Sequence, residues 1–214
     1  MSFSMLDRAA PSDATYDAPA TTLRPSLVRE QLRRLRGVPD RLLHPLRRRA
    51  ALAALLSRRP PSRLLVICTG NIFRSPFAAA ALRREGKGRR WEIISGGLIG
   101  PGRPSPATAV VAATTLGVDL LAHRSDVVTG PMVLWADLIV VMEAHQRQTL
   151  WQRYGRLSCE ILLLGDLDPE RADRRAIEDP FDRPLEVCRR SYERIARCVK
   201  VLARATDPAA RARR

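Results

Sequence analysis

The chain has 214 residues, with 37 Lys+Arg against 22 Asp+Glu and a formal net charge of +15. Hydrophobic residues make up 45%, enough to fill a core, which excludes wholesale disorder and collagen-like repeats. No apolar run approaches the ~18 residues of a membrane span, residues 1–20 carry no secretory pattern, and four irregularly spaced cysteines do not read as a disulfide framework. A reduced, cytoplasmic setting is the expectation.

Residues 1–23 are Ala, Ser, Thr, Asp and Pro with few large apolar groups and read as a flexible tail. Residues 24–62 read as a basic amphipathic helical extension. From Arg24 to Arg63 there are 12 Arg against Glu30 and Asp40. Leu27, Val28, Gln31, Leu32 and Leu35 repeat at helical spacing, as do Leu46, Ala50, Ala53 and Leu56, so two short helices are predicted, with breaks at Pro39 and Pro45. Such a surface suits a peripheral contact through 24–59 with anionic lipid or an acidic partner. The plainer reading is an appendage that packs its leucines on the main domain. Nucleic acid is an unlikely partner, because no aromatic strip or zinc spacing accompanies the charge.

After Pro61 the texture changes. Leu64–Ile67 is a buried-strand run, followed by a Gly-containing turn and an Ala-rich helix from Ser75 to about Gly86. Trp91–Ser95, Asp137–Met142 and Ile161–Leu164 read as further strands. Ser105–Leu116, a segment after Met142, and Pro184–Arg204 read as helices. Apolar strands alternating with helices predict an α/β fold: a four-stranded parallel sheet covered by helices on both faces, with its site at the carboxyl ends of the strands. This domain spans 63–207, and 208–214 is a basic tail.

The segment Cys68-Thr69-Gly70-Asn71-Ile72-Phe73-Arg74-Ser75-Pro76 carries the chemistry. Cysteine with arginine six positions on is uninformative by itself, since Cys188/Arg194 and Cys198/Arg204 match it too. Only Cys68 ends a strand and opens a loop before a helix, so that backbone N–H groups and the positive helix end converge on one point. That point would hold a phosphate and favour a thiolate at Cys68. Arg74 can grip two phosphate oxygens through its planar fork, and Ser75 can donate to the sulfur. Gly70 permits the turn, and the Asn71 side chain can tie the loop to itself.

This loop resembles that of the low-molecular-weight protein tyrosine phosphatases, V-C-x-G-N-x-C-R-S-P, and the resemblance runs over about 63–205. Leu116–Leu120 with His123-Arg124-Ser125, the strand Asp137–Met142, and Asp179-Pro180-Phe181 are similar to three further family motifs in the same order. The resemblance implies that Cys68 attacks phosphorus to give a phosphocysteine, that Arg74 and the loop from Thr69 to Phe73, with Ser75, hold the phosphoryl oxygens, and that Asp179 is the general acid. Phe181 with Leu98 or Ile99 would wall the pocket for an aromatic ring. His123 and Asp137 are expected to be structural. No cofactor is implied, and three scattered histidines offer no metal site. The expected substrate is a tyrosine-phosphorylated protein, and bacterial members of the family oppose tyrosine kinases of exopolysaccharide assembly.

Two departures stand out. A cysteine beside the loop arginine, common in the family, is Phe73 here, so a protective disulfide with Cys68 is not expected. The Glu common in the family's first helix is Ala79, which questions a helix-surface contact. Three rivals share the loop. Arsenate reductases need a cysteine relay that Cys159, Cys188 and Cys198 do not suit. Phosphoarginine phosphatases carry Thr where Ile72 stands, and an inactive scaffold would not need the complete Cys68, Arg74, Ser75 and Asp179 set.

Overall fold

The structure, a computed structural model, describes residues 25–155 and 161–208, with side chains from Asp40 onward. The 1–23 tail, Cys159 and the basic end from 209 lie outside the described residues. The element order is α1 (Pro25–Leu56), β1 (Arg63–Cys68), α2 (Arg74–Glu85), β2 (Glu92–Gly97), α3 (Ala107–Thr114), α4 (Gly130–Trp135), β3 (Leu138–Val141), α5 (Ala144–Tyr154), β4 (Ile161–Leu163), a 3-10 turn (Leu164–Leu167) and α6 (Leu185–Ala205).

The four strands are parallel in the order β2-β1-β3-β4. β1 is therefore central, which explains why its sequence is apolar at every position but the first. Its side chains divide by parity. Leu64, Val66 and Cys68 join the core built with α2, α3 and α6, and Leu65 and Ile67 join the core under α4 and α5. The leucines and Val66 are fully buried, each contributing about 1.5–3 kcal/mol of apolar burial. The chain leaves β1 towards β2 on one side and returns to β3 on the other, so a crevice opens at the carboxyl end of β1, where the topology switches direction.

Asp137, just before β3, fastens the start of β1. Its carboxylate accepts from the Ser62 amide and hydroxyl (3.0 and 2.9 Å) and from the Arg63 amide (2.9 Å) and guanidinium (2.8 Å). The aspartate is an anchor, as its sequence context implied.

Several boundaries differ from the sequence expectation. The basic extension is one helix, not two: α1 passes through Pro39 and Pro45. A proline removes one intrahelical bond and crowds the carbonyl four residues back, but Pro45 lies exposed, where that carbonyl, of Arg41, can tilt outward to water. α4 was not anticipated, because Gly130-Pro131 resembles a loop. Here the proline occupies the first turn, where its missing N–H costs nothing, and the Thr129 side chain caps Met132 N. The fourth strand ends at Leu163, with Leu164 already in the 3-10 turn. Ala79 is 1% exposed and packs in the core, so the helix position considered a surface contact is an interior one.

Candidate active site

β1 delivers Cys68 to the crevice, and α2 begins six residues later at Arg74. Between them the chain wraps the sulfur. The Asn71 amide donates to Cys68 Sγ at 3.2 Å and the Ser75 hydroxyl donates to it at 3.0 Å. The wrap requires Asn71 to adopt φ 50°, a left-handed conformation that Asn tolerates better than most residues.

Asn71 is fully buried and holds the loop from all sides. Its Nδ2 donates to Ser75 Oγ (2.9 Å) and Ser95 Oγ (3.0 Å), and its Oδ1 accepts from Asp126 N (2.9 Å). Its carbonyl meets His123 Nε2 at 2.7 Å. A carbonyl can only accept, so that nitrogen carries the proton. His123 thus supports the loop and does not face the sulfur. Gly97, at the end of β2, lets the loop approach, since a Cβ there would lie 2.9 Å from the Gly70 carbonyl carbon and 3.0 Å from Asn71 N.

Arg74 is 1% exposed. Its Nη1 donates to Glu143 Oε1 (2.5 Å) and to the Ile177 carbonyl (2.9 Å), and its Nη2 pairs with Asp179. Its Nε is buried and has no partner. The segment carrying Asp179 is itself fixed. Arg194 of α6 donates to the carbonyls of Arg174 and Ala176 (both 2.8 Å), and Ser191 Oγ to that of Glu178 (2.9 Å). From the other face, Tyr192 donates to the Phe73 carbonyl at 3.1 Å and stacks on Phe77 with centroids 4.0 Å apart. Burial raises its hydroxyl pKa well above the usual tyrosine value, so it is a fixed donor.

A cleft of about 130 Å³ opens over the loop, lined by Cys68, Thr69, Gly70, Ile72, Phe73, Ile99, Arg103, Asp179 and Phe181. Ile99 and Phe181 are each 54% exposed and form its walls. Leu98, the alternative wall residue, packs instead in the core under α4 and α5.

Cys68, the loop from Thr69 to Phe73, Arg74, Ser75, Asp179 and Phe181 therefore meet at the end of β1, whereas Leu98 and Asp137 do not reach it. Five others belong to the same assembly. Glu143 follows β3 directly, a carboxyl-end position that could have marked it. Ser95, Arg103, Gln146 and Tyr192 gave no local signal. Arg103 donates to the Gly70 carbonyl (3.0 Å), and Gln146 Nε2 reaches Thr69 Oγ1 at 3.4 Å.

Burial pushes the Cys188 thiol up to about 11 and that of Cys198 up to about 12, which keeps both as inert thiols. Among the described residues, no group of three or more His, Cys, Asp or Glu is placed to hold a metal ion. None of their helices is long and apolar enough to cross a membrane.

A parallel α/β sheet that ends its central strand in a cysteine held by a loop amide and a serine hydroxyl, with a buried arginine at the start of the following helix, defines a cysteine-dependent phosphate-binding protein. Residues 63–210 match the model of the low molecular weight phosphotyrosine protein phosphatases, and the chain belongs to that family. It is 36% identical over 137 residues to EpsP of Ralstonia nicotianae, named as a probable low molecular weight protein-tyrosine-phosphatase, covering 64% of this chain and 90% of that one. It is also 27% identical over 144 residues to a protein-arginine-phosphatase of Geobacillus stearothermophilus, covering 67% and 95%. A crystal structure of the low molecular weight protein tyrosine phosphatase from T. tengcongensis superposes with a TM-score of 0.59 at 28% identity, covering 65% of this chain and 96% of that one.

Proposed function

We propose that the chain is a cytoplasmic phosphotyrosine phosphatase working through a phosphocysteine, with residues 63–207 as its catalytic unit. The observation that carries this reading is the position of Cys68 Sγ, which receives hydrogen bonds from Asn71 N and Ser75 Oγ at the mouth of α2. Those donors suit a thiolate.

The phosphoryl group sits on the loop amides, with two oxygens on the guanidinium of Arg74, one on the unpartnered Nε and one on Nη2. Its arrival replaces Asp179 on Nη2 and leaves that carboxyl free to face the leaving oxygen. The sulfur attacks phosphorus, the P–O bond to the aryl group breaks, and Asp179 gives its proton to the departing phenolate. The carboxylate then takes a proton from water, which attacks the thiophosphate, and the sulfur leaves with release of inorganic phosphate. Glu143 and the Ile177 carbonyl fix the plane of Arg74 as charge develops on the equatorial oxygens.

Ile72, Ile99 and Phe181 give the cleft apolar walls for an aromatic ring, and the alkyl side chain of Ile72 replaces the hydroxyl of the phosphoarginine-directed members. By family resemblance, the substrate is a tyrosine-phosphorylated protein, with a tyrosine kinase of bacterial exopolysaccharide assembly as the candidate.

The test is hydrolysis of a small aryl phosphate and a phosphotyrosine peptide beside a phosphoarginine substrate, with Cys68→Ser and Asp179→Asn. Aryl turnover abolished by the first and strongly reduced by the second is the expected result. Preference for phosphoarginine would overturn the reading of Ile72, and no turnover with phosphate still bound would leave a scaffold.

A further inference from the structure

α1 has two apolar faces, and the domain uses only one. On the inner face His44 Nε2 bonds the Asp168 carbonyl at 2.9 Å, Leu55 is 6% exposed, and the Asp40 carboxylate accepts from Arg175 N at 3.2 Å. This docking fixes which side of the helix looks outward. There, positions 42, 46, 49, 53 and 56 follow the alternating four- and three-residue steps of a single helical stripe. They hold Leu42, Leu46, Arg49, Ala53 and Leu56, and Leu42 and Leu46 are 68% and 64% exposed.

Beside the stripe lies a groove of about 680 Å³ between α1 and the Pro169–Arg171 segment. Leu46, Leu52 and Leu56 supply its apolar part, and Arg48, Arg49 and Arg171 its charge. None of the residues lining it is a carboxylate. The Nε of Arg48 is buried there without a hydrogen-bond partner, and a buried donor of that kind calls for an acceptor.

We propose that this face of α1 seats the protein on a bilayer surface containing anionic phospholipid, with Leu42, Leu46 and Leu56 entering the interface and the arginines holding lipid phosphates. Exposed leucines with Arg49 among them and Arg48 and Arg171 beside them suit a helix that lies in the headgroup plane, leucines in the acyl boundary and guanidinium groups at the phosphates. A second copy of the chain is a poorer occupant, because it would set Arg48, Arg49 and Arg171 against like charges. A free phosphate would satisfy the arginines and leave the leucines in water. The inference is independent of the reaction assigned to Cys68.

The experiment is flotation of the full chain with vesicles of phosphatidylglycerol in phosphatidylcholine, and with phosphatidylcholine alone, at low and high salt. Analytical ultracentrifugation and binding to polyglutamate accompany it. Wild type is expected on the anionic vesicles only. Leu42→Gln with Leu46→Gln should lose more than tenfold in affinity, and Arg48→Gln with Arg49→Gln roughly fivefold per arginine removed. Unchanged melting and unchanged turnover of a small aryl phosphate show that these surface variants are folded. Equal binding to neutral vesicles, or anionic binding indifferent to the leucine pair, would overturn the proposal. So would a dimer abolished by the leucine pair, or capture by polyglutamate, without vesicle binding.

Discussion

Arg74 and Asp179 are ion-paired across the cleft, Nη2 to carboxylate, although their proposed roles pull them apart. The carboxylate occupies a donor that an incoming phosphate needs. Asp179→Asn should therefore have two effects of opposite sense. Turnover of an aryl phosphate should fall about 10²- to 10⁴-fold with loss of the general acid. Inorganic phosphate should inhibit the variant more tightly, because Nη2 no longer faces a competing charge. Weaker phosphate inhibition would show that Asp179 aligns the arginine.

The Asn71 side chain makes three hydrogen bonds inside the loop, at a residue with positive φ. Asn71→Ala forfeits these bonds and keeps the strained backbone, which should cost about 2–4 kcal/mol. For a domain of this size that lowers Tm by roughly 5–15 °C, with a parallel loss of kcat/KM. Asn71→Gly relieves the backbone and should recover part of the Tm but little of the activity. Equal melting of the three proteins would mean that the network does not hold the loop.

Phe73 occupies the position next to Arg74 where the resemblance expects a cysteine, and its side chain is 5% exposed. The free cysteines among the described residues besides Cys68 are Cys188 and Cys198, both held as thiols by burial. Peroxide should oxidise Cys68 beyond the sulfenic acid, and dithiol added afterwards should restore little activity. Full recovery would show that a partner thiol reaches the sulfur.

The strands of the sheet and the loop were legible in the sequence because both are local patterns. β1 is apolar at five successive positions and ends at Cys68, and the Gly-Asn-x-x-Arg-Ser order states its own turn chemistry. Arg103 and Tyr192 were not legible. Each reaches the loop from a distant part of the chain (Tyr192 is 119 residues from the carbonyl it holds), and spacing cannot report such approaches. α1 shows the converse failure. Pro39 and Pro45 broke the local pattern, but each removes a single bond, and packing through His44 and Leu55 keeps one helix.

Gly97 touches the back of the loop, where a Cβ would come within 3.0 Å of two backbone atoms of Gly70 and Asn71. Neither can move without carrying the Cys68 cradle with it. Gly97→Ala should leave the fold intact and lower kcat/KM by about tenfold or more, since sub-ångström misplacement of positioned groups is costly. Gly130→Ala, whose Cβ would meet only Tyr154 at 4.0 Å, is the control. Equal activity in the two variants would show that the loop yields without consequence.

Asp137 gives stability a defined acid limit. Burial acts to raise its carboxyl, but the bonds from Arg63 and Ser62 outweigh it and hold the group well below the ordinary value of 3.8. A carboxyl lowered in the folded state stabilises the protein above its unfolded pKa, and that contribution fades as pH falls through and below about 4. Asp137→Asn removes the charge and two of the acceptor positions, which should cost about 1–3 kcal/mol at neutral pH. The gap in Tm between wild type and variant should be constant from pH 8 to pH 6, then narrow steadily below pH 4. A gap that stays the same down to pH 3 would mean that the carboxylate charge does not fasten β1 to β3.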